Sequence, residues 1–305
     1  MIEKAGIEYE GVSCGKLRRY FSWQNFIDIF KIPIGIFQAR KILKRDKPDV
    51  IFSKGGYVSF PVVVATAGLK IPVILHESDL RPGLANKLCM RFADKICVSF
   101  KETLELLPKK FAKKAVFTGS PVRESILKGN DDAGFKFTGL RDYKPVVLLM
   151  GGSQGAMQIN KLLWESLSEL SRKYQIVHVV GRGNFDMSKV AEGYKQFEYI
   201  DKELPDVYSI SDIIVTRGGA NTLFETALLK KKAVILPLGN AVSRGDQIDN
   251  ARLFVRKFGW SMLSGNVNKE EFMDAINLAF HNQTEMKNSE VKNGLKKIVE
   301  LIVNP

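Results

Sequence analysis

Three short stretches of this 305-residue chain set glycine pairs among polar or charged neighbours: F-S-K-G-G-Y-V-S at 52–59, L-M-G-G-S-Q-G-A at 149–156 and T-R-G-G-A-N-T-L-F-E-T-A at 216–227. Glycine turns the backbone at positive φ and lets a ligand approach the main-chain amides closely. A helix that opens just after such a turn offers unpaired N–H groups and the positive end of its dipole, which suit a phosphate. An anion so placed gains roughly 0.3–1 kcal/mol, and up to about 2 kcal/mol when partly buried. A single Gly-Gly is what any tight strand-to-helix turn needs. Three of them at the carboxyl ends of strands coincide with the edge where open α/β sheets bind ligands. No Gly-Lys-Ser/Thr follows any of them and the spacing misses GxGxxG, so neither ATP hydrolysis nor NAD chemistry is supported.

Two further sets of residues bear chemistry. Thr222-Leu223-Phe224-Glu225 fits the T-x-x-E capping box, in which Glu225 would bond back to the cap's amide. The other reading makes Glu225 a carboxylate at the mouth of a phosphate-binding turn, accepting two ribose hydroxyls. His76, His178 and His281 lie far apart in the sequence, and no metal cluster or cofactor is expected. His178, in I-V-H-V-V, reads as a strand residue satisfied in the core rather than a ligand.

The elements that must position these residues alternate along the chain. Apolar runs at 50–53, 72–76, 96–99, 116–118, 146–150, 176–180, 213–216, 234–238 and 260–263 read as strands, separated by helical patterns such as 159–174, 222–230, 247–258 and 269–280. Continuous apolar strands between helices call for a parallel sheet covered on both faces, an α/β doubly wound architecture. At ~150 residues per domain the length suits two domains. The polar stretch at 128–144 breaks the alternation, which places domains at 1–140 and 141–283. A last helical segment, 284–305, is expected to pack back on the first domain.

Composition narrows the class. The chain is 45% hydrophobic and 26% charged, as in a globular protein. Its start, M-I-E-K-A-G-I-E-Y-E-G, has no apolar secretory region, and the uncharged run 55–69 contains Pro61 and is shorter than a spanning helix needs. Cys14, Cys89 and Cys97 are odd in number and form no CxxC pair, which fits a reducing compartment and a cytosolic location. The net charge is +13, and residues 16–47 carry nine Lys or Arg against two Asp. Such a patch favours an anionic partner. The same segment has helical spacing at Trp23, Phe26, Ile27 and Phe30 and an expected break at Pro33. It reads as a core-facing helix with a solvated basic face, and also as a surface for anionic lipid. No recognised nucleic-acid motif accompanies the charge, so nucleic acid is not expected as a partner.

Taken together, G-G-Y-V-S (55–59), H-E-S-D-L-R-P-G-L-A-N-K (76–87), G-S-P-V-R (119–123), G-G-S-Q-G-A (151–156), the T-R-G-G-A-N-T stretch and D-Q-I-D-N-A (246–251) resemble the MurG family of bacterial glycosyltransferases over nearly the whole chain. The resemblance implies the GT-B fold, two Rossmann-like domains facing across a cleft. It also implies inverting transfer of N-acetylglucosamine from UDP-GlcNAc to a lipid-linked muramoyl-pentapeptide precursor of peptidoglycan. UDP-GlcNAc is then a substrate, an undecaprenyl-diphosphate acceptor lies on the first domain, and the enzyme sits peripherally on the cytoplasmic side of the bacterial membrane.

Carried over by position, Ser153, Gln154 and Arg123 contact the diphosphate, and Ile200 meets uracil through its backbone. Gly219, Ala220, Asn221 and Thr222 line phosphates and sugar, Glu225 takes the ribose, Gln247 reads sugar hydroxyls, and Asn86 reaches over from the first domain. Tyr57, His76 and Glu77 fall on the acceptor side. The family opens with a strand, a Gly-rich loop bearing a His, and a helix; this chain resembles it from after that unit. The base loop is thus expected to be missing and the first sheet to have an unpaired inner edge. A donor-binding protein without turnover, a UDP-sugar epimerase and a membrane-bound cell-wall scaffold are the alternatives.

Overall fold

The computed structural model describes residues 6–15, 23–152, 155–237, 245–282 and 291–305. The chain divides into two compact units, Met1–Gly119 with Lys296–Pro305, and Ser120–Leu295.

The first unit is built on a four-stranded parallel sheet of β1 (Ile51–Ser53), β2 (Val73–Glu77), β3 (Lys95–Val98) and β4 (Ala115–Phe117), ordered β1-β2-β3-β4. All five β2 residues are buried, as expected of a strand covered on both faces. Side chains alternate across the sheet. Val73 and Leu75 pack in one cluster with Val63 of α2 (Ser59–Ala65), Cys89 of α3 (Leu84–Cys89) and Leu104 of α4 (Thr103–Leu106). Ile74 and Cys97 pack instead with Ile298 of the C-terminal helix (Leu295–Val303).

Helix α1 (Trp23–Asp46) lies on α2 through Ala39, Leu43 and Ala65, and Arg40 Nη1 donates to the carbonyls of Ala65 and Ala67. The break expected at Pro33 does not occur; the helix runs through it. An internal proline costs about 3 kcal/mol. Packing of the segment after it against α2, with Gly35 directly under the Ser13 carbonyl, offsets that cost.

The second unit has six parallel strands: β5 (Val146–Met150), β6 (Gln175–Val179), β7 (Tyr194–Phe197), β8 (Ile213–Thr216), β9 (Lys232–Ile235) and β10 (Ser261–Met262). Their order is β10-β9-β8-β5-β6-β7. This is the doubly wound pattern in which the chain builds outward in one direction, returns to the centre, and builds outward in the other. Strand β7, Y-K-Q-F, is absent from the sequence reading because it is an edge strand with one fully buried residue and so no continuous apolar run.

Crossovers are made by α6 (Met157–Lys173), α7 (Leu204–Ile210), α8 (Ala220–Leu228) and α9 (Asp246–Phe258), with α10 (Lys269–His281) packed on β9. The 128–144 stretch, expected to break the alternation, contains a helix, α5 (Asp131–Thr138), capped by the Asn130 side chain on Ala133 N and closed by Gly139 at φ 65°. It packs on α7: a Cβ at Gly134 would fall within 2.3 Å of the Asp206 carbonyl oxygen, and Asn130 N donates to Asp206 Oδ1 at 2.8 Å. These contacts put the division between the units at 119/120, ahead of the boundary expected near 140. Among the described residues no helix is long and apolar enough to cross a membrane.

Candidate functional site

The order reversal of the second sheet lies between β5 and β8. Met150 pairs with Thr216, so Gly151-Gly152 and Arg217-Gly218-Gly219 leave the sheet side by side at its carboxyl edge. Crevices at such a reversal are where open α/β sheets take ligands. Gly152 and Gly218 have φ of 90° and 89°. At Gly218 a Cβ would lie 3.0 Å from the Gln247 carbonyl oxygen and 3.1 Å from Ile235 Cγ2, so the turn is pressed onto the first turn of α9. That contact joins the D-Q-I-D-N-A motif, with Gln247, to the other two. Ser153 and Gln154 lie outside the described residues.

Helix α8 starts with Gly219 as its N-cap, without a side-chain cap bond. The capping box at Thr222 and Glu225 is therefore not formed: Thr222 is the third helical residue, and Glu225 sits in the second turn rather than the first. With a glycine cap, the amides of Ala220, Asn221 and Thr222 have no acceptor one turn back and, among the described residues, no side-chain cap bond. They face the turn where an anion would lie.

Glu225 points instead toward α7. Its Oε2 accepts the Tyr208 hydroxyl proton at 3.0 Å, and Tyr208, fully buried, also meets Met150 Sδ at 3.4 Å. Burial raises the Glu225 pKa; the Tyr208 bond and the positive charge of Arg123 oppose the rise. Arg123 itself is exposed, ahead of a 3-10 turn (Glu124–Lys128). Thus Arg123 and Glu225, remote in sequence, act on one another electrostatically. Ile200 is buried just after β7, beside Tyr199, whose ring carries the Arg182 guanidinium at 5.5 Å.

Arg217 went unremarked in the sequence. Partial burial lowers its pKa, and it makes no hydrogen bond or ion pair among the described residues. A half-buried guanidinium without a partner, at the carboxyl end of β8, is suited to meet a phosphate. The signal available beforehand was its place inside the T-R-G-G turn.

In the first unit, His76 and Glu77 end β2 but do not reach the surface. Glu77 Oε1 accepts from Asp79 N at 3.0 Å, and Oε2 accepts from Gly83 N at 3.0 Å and Asn86 Nδ2 at 2.8 Å. One carboxylate thus gathers both ends of the 78–83 loop and the start of α3. Burial pushes its pKa up against these three donors. His76 lies between the hydroxyls of Ser78 and Ser99, each 3.3 Å away, and its pKa is lowered to about 4 by burial and then by the charge of Lys54. Asn86 Nδ2 also donates to the His76 carbonyl at 3.3 Å, while its buried Oδ1, beneath Gly55, has no partner among the described residues. A Cβ at Gly55 would come within 2.6 Å of that oxygen. Tyr57, in contrast, is exposed.

His178 belongs to a closed network. Trp164 Nε1 donates to the Tyr194 oxygen at 3.1 Å, whose proton goes to His178 Nδ1 at 2.9 Å; His178 Nε2–H donates to Asn160 Oδ1 at 3.0 Å, and Asn160 Nδ2 to the Val180 carbonyl at 2.9 Å. These partners assign the neutral ring its tautomer, and burial lowers its pKa to about 3. His178 is a core residue, and the network ties the first turn of α6 to the end of β6. Among the described residues no group of three or more His, Cys, Asp or Glu could hold a metal ion.

Residues 1–98 match the glycosyltransferase family 28 N-terminal domain, and residues 146–302 match the glycosyltransferase family 28 C-terminal domain. The UDP-N-acetylglucosamine–N-acetylmuramyl-(pentapeptide) pyrophosphoryl-undecaprenol N-acetylglucosamine transferase of Clostridium tetani is 46% identical, over 99% of this chain and 85% of its own length. A second enzyme of that name from Bacillus cereus is 48% identical, over 97% of this chain and 83% of its own. The crystal structure of Acinetobacter baumannii MurG superposes with a TM-score of 0.75 at 24% identity, covering 100% of this chain and 87% of that one, a likeness of fold. This chain is therefore a GT-B glycosyltransferase of family 28, and belongs to the MurG family of N-acetylglucosamine transferases.

Proposed function

We propose that the chain transfers N-acetylglucosamine from UDP-GlcNAc to the lipid-linked muramoyl-pentapeptide acceptor, with inversion at the anomeric carbon. The observation that carries this reading is the meeting of three motifs at the β5/β8 reversal, where the amides of Ala220, Asn221 and Thr222, the Arg217 guanidinium and the Glu225 carboxylate are assembled on one edge. UDP-GlcNAc is the donor substrate, held by the second unit: diphosphate over the two glycine turns, with Arg123 and Arg217 as cations, ribose at Glu225, uracil along the backbone at Ile200, sugar hydroxyls at Gln247.

In the reaction an acceptor hydroxyl oxygen forms a bond to the anomeric carbon as the bond from that carbon to the diphosphate oxygen breaks. UDP leaves with the electron pair, and the hydroxyl proton passes to a base. Negative charge grows on the leaving diphosphate, so fixed amides and guanidinium groups aimed there favour the transition state over the ground state. In the first unit Tyr57 is an accessible group for the acceptor, whereas Glu77, His76 and Asn86 hold the 78–83 loop and the start of α3.

A membrane-resting surface on the first unit suits a lipid-linked acceptor. Phe30, Ile34 and Phe37 are 71%, 52% and 73% exposed, and at spacings of four and three they form one stripe on α1, extended by the exposed Lys41 and Lys44. Apolar side chains beside lysines on one helical face suit the interface of an anionic bilayer. Placement is thus peripheral, on the cytoplasmic side.

The test is transfer of labelled N-acetylglucosamine from UDP-GlcNAc to the lipid-linked acceptor, with hydrogen exchange of the second unit measured with and without UDP. Product together with UDP protection around 217–225 is expected. Protection without transfer would leave only a donor-binding protein, consumption of UDP-GlcNAc without acceptor would indicate an epimerase, and absence of any UDP effect would remove the site assignment.

A further inference from the structure

The two oxygens of Glu225 are in different situations. Oε2 accepts from the Tyr208 hydroxyl at 3.0 Å, and no hydrogen bond to Oε1 is present among the described residues. Tyr208 is fully buried on α7, and its single proton has two acceptors in reach, a carboxylate oxygen and the weak thioether of Met150 at 3.4 Å. A carboxylate presents about four lone-pair directions, and the phenol takes one of them. A phenyl ring would fill the same volume without burying a hydroxyl. The hydroxyl at this position therefore serves Glu225.

We infer that Tyr208 is a positioning residue: it holds the Glu225 carboxylate ionised and in one rotamer, so that its remaining lone pairs face the two hydroxyls of the donor's ribose. This rests on the reading of Glu225 as the ribose acceptor. The reason is preorganisation. A glutamate ordered only on binding gives up side-chain entropy, whereas one already fixed by a buried donor does not lose it again. The bond, together with the positive charge of Arg123, also opposes burial, which otherwise favours the protonated acid, a form with fewer acceptor sites for a diol.

The experiment compares affinity for UDP with that for 2′-deoxy-UDP in the full chain, its Tyr208→Phe variant and its Glu225→Gln variant. Loss of one hydroxyl that bonds to a carboxylate is worth about 10- to 100-fold, so the unaltered chain should prefer UDP by at least ~10-fold. Tyr208→Phe should reduce that preference to about threefold or less. It should also move the acid-side loss of UDP affinity to higher pH, since the ionised carboxylate has lost a donor. A residue that merely packs would move neither quantity.

If Glu225→Gln abolishes the preference while Tyr208→Phe keeps it and its pH profile, the inference is overturned and the ribose reading stands. If Glu225→Gln leaves the preference intact, the ribose reading itself falls, and the inference with it. Should Tyr208→Phe fail to fold, the unaltered chain supplies the measurement. The buried Tyr208 hydroxyl proton, followed by NMR, should shift when UDP binds and shift less with 2′-deoxy-UDP; equal responses would overturn the inference.

Discussion

Acid should destabilise the second unit through His178, and the hydrogen-bond chain gives the size of the effect. The ring is neutral, with Nε2–H on Asn160 Oδ1 and Nδ1 accepting from Tyr194, whose oxygen already accepts from Trp164. Protonation would put a second N–H against that hydroxyl and a charge in a dry core. The folded pKa accordingly falls to about 3 from the ordinary histidine value of 6.5. A histidine with a depressed pKa binds more protons when unfolded below pH 6.5, so its contribution is complete above that value and is lost progressively as pH falls toward 3. Between pH 7 and pH 5 the loss is about 2 kcal/mol, from roughly 1.5 pH units at 1.36 kcal/mol each.

His178→Gln keeps one donor and one acceptor but does not titrate. Urea unfolding of both proteins at pH 7 and pH 5, followed by a probe in the second unit, should show the variant's pH dependence to be flatter by about 2 kcal/mol. The raised carboxylate of Glu225 acts in the opposite sense in both proteins and cancels in the comparison. Equal pH dependence in the two, to within about 0.5 kcal/mol, would refute the assignment of a neutral, fully paired His178.

Three other outcomes are expected. Arg217→Gln should weaken UDP about 10- to 100-fold and uridine hardly at all, read by calorimetry, because a charge-assisted bond to phosphate is removed. Glu77→Gln replaces a carboxylate oxygen by an NH₂ that faces backbone donors, and should cost about 1–3 kcal/mol with faster hydrogen exchange at Asp79 and Gly83; unchanged melting and exchange would show that the carboxylate does not gather the loop. Phe30→Ser with Phe37→Ser should lower sedimentation with anionic vesicles while leaving transfer to a detergent-soluble acceptor intact; unaltered vesicle binding would remove α1 as the docking face.

Much of the architecture was legible because it is local. V-V-L-L-M at β5 is a continuous apolar run, and parallel strands buried on both faces require one. Helix α9 follows its 3.6-residue period and ends at Gly259 in the left-handed conformation. Where local signals were thin, the reading failed: α5 lay in a polar stretch whose Asn130 cap and Gly139 terminator were passed over, β7 lacked an apolar run, and Pro33 did not break a helix held by α2. The same holds for T-L-F-E. Its pattern matched a capping box, yet the helix starts three residues earlier at Gly219.

By itself the sequence determined residue types and spacing: glycine pairs after strands, a basic amphipathic helix, and the motif set that places the chain in its family. Only the tertiary structure decided which of these meet. Strand order is not encoded in any local period; it follows from how crossovers pack on a twisted sheet. By putting β8 beside β5, that order sets Arg217 and Gly218 next to Gly151 and presses the turn on α9, while α7 brings Tyr208 under Glu225. The structure also shows His76 and Glu77, expected on the acceptor side, turned inward, because Glu77 accepts from the loop it holds and His76 lies between the hydroxyls of Ser78 and Ser99.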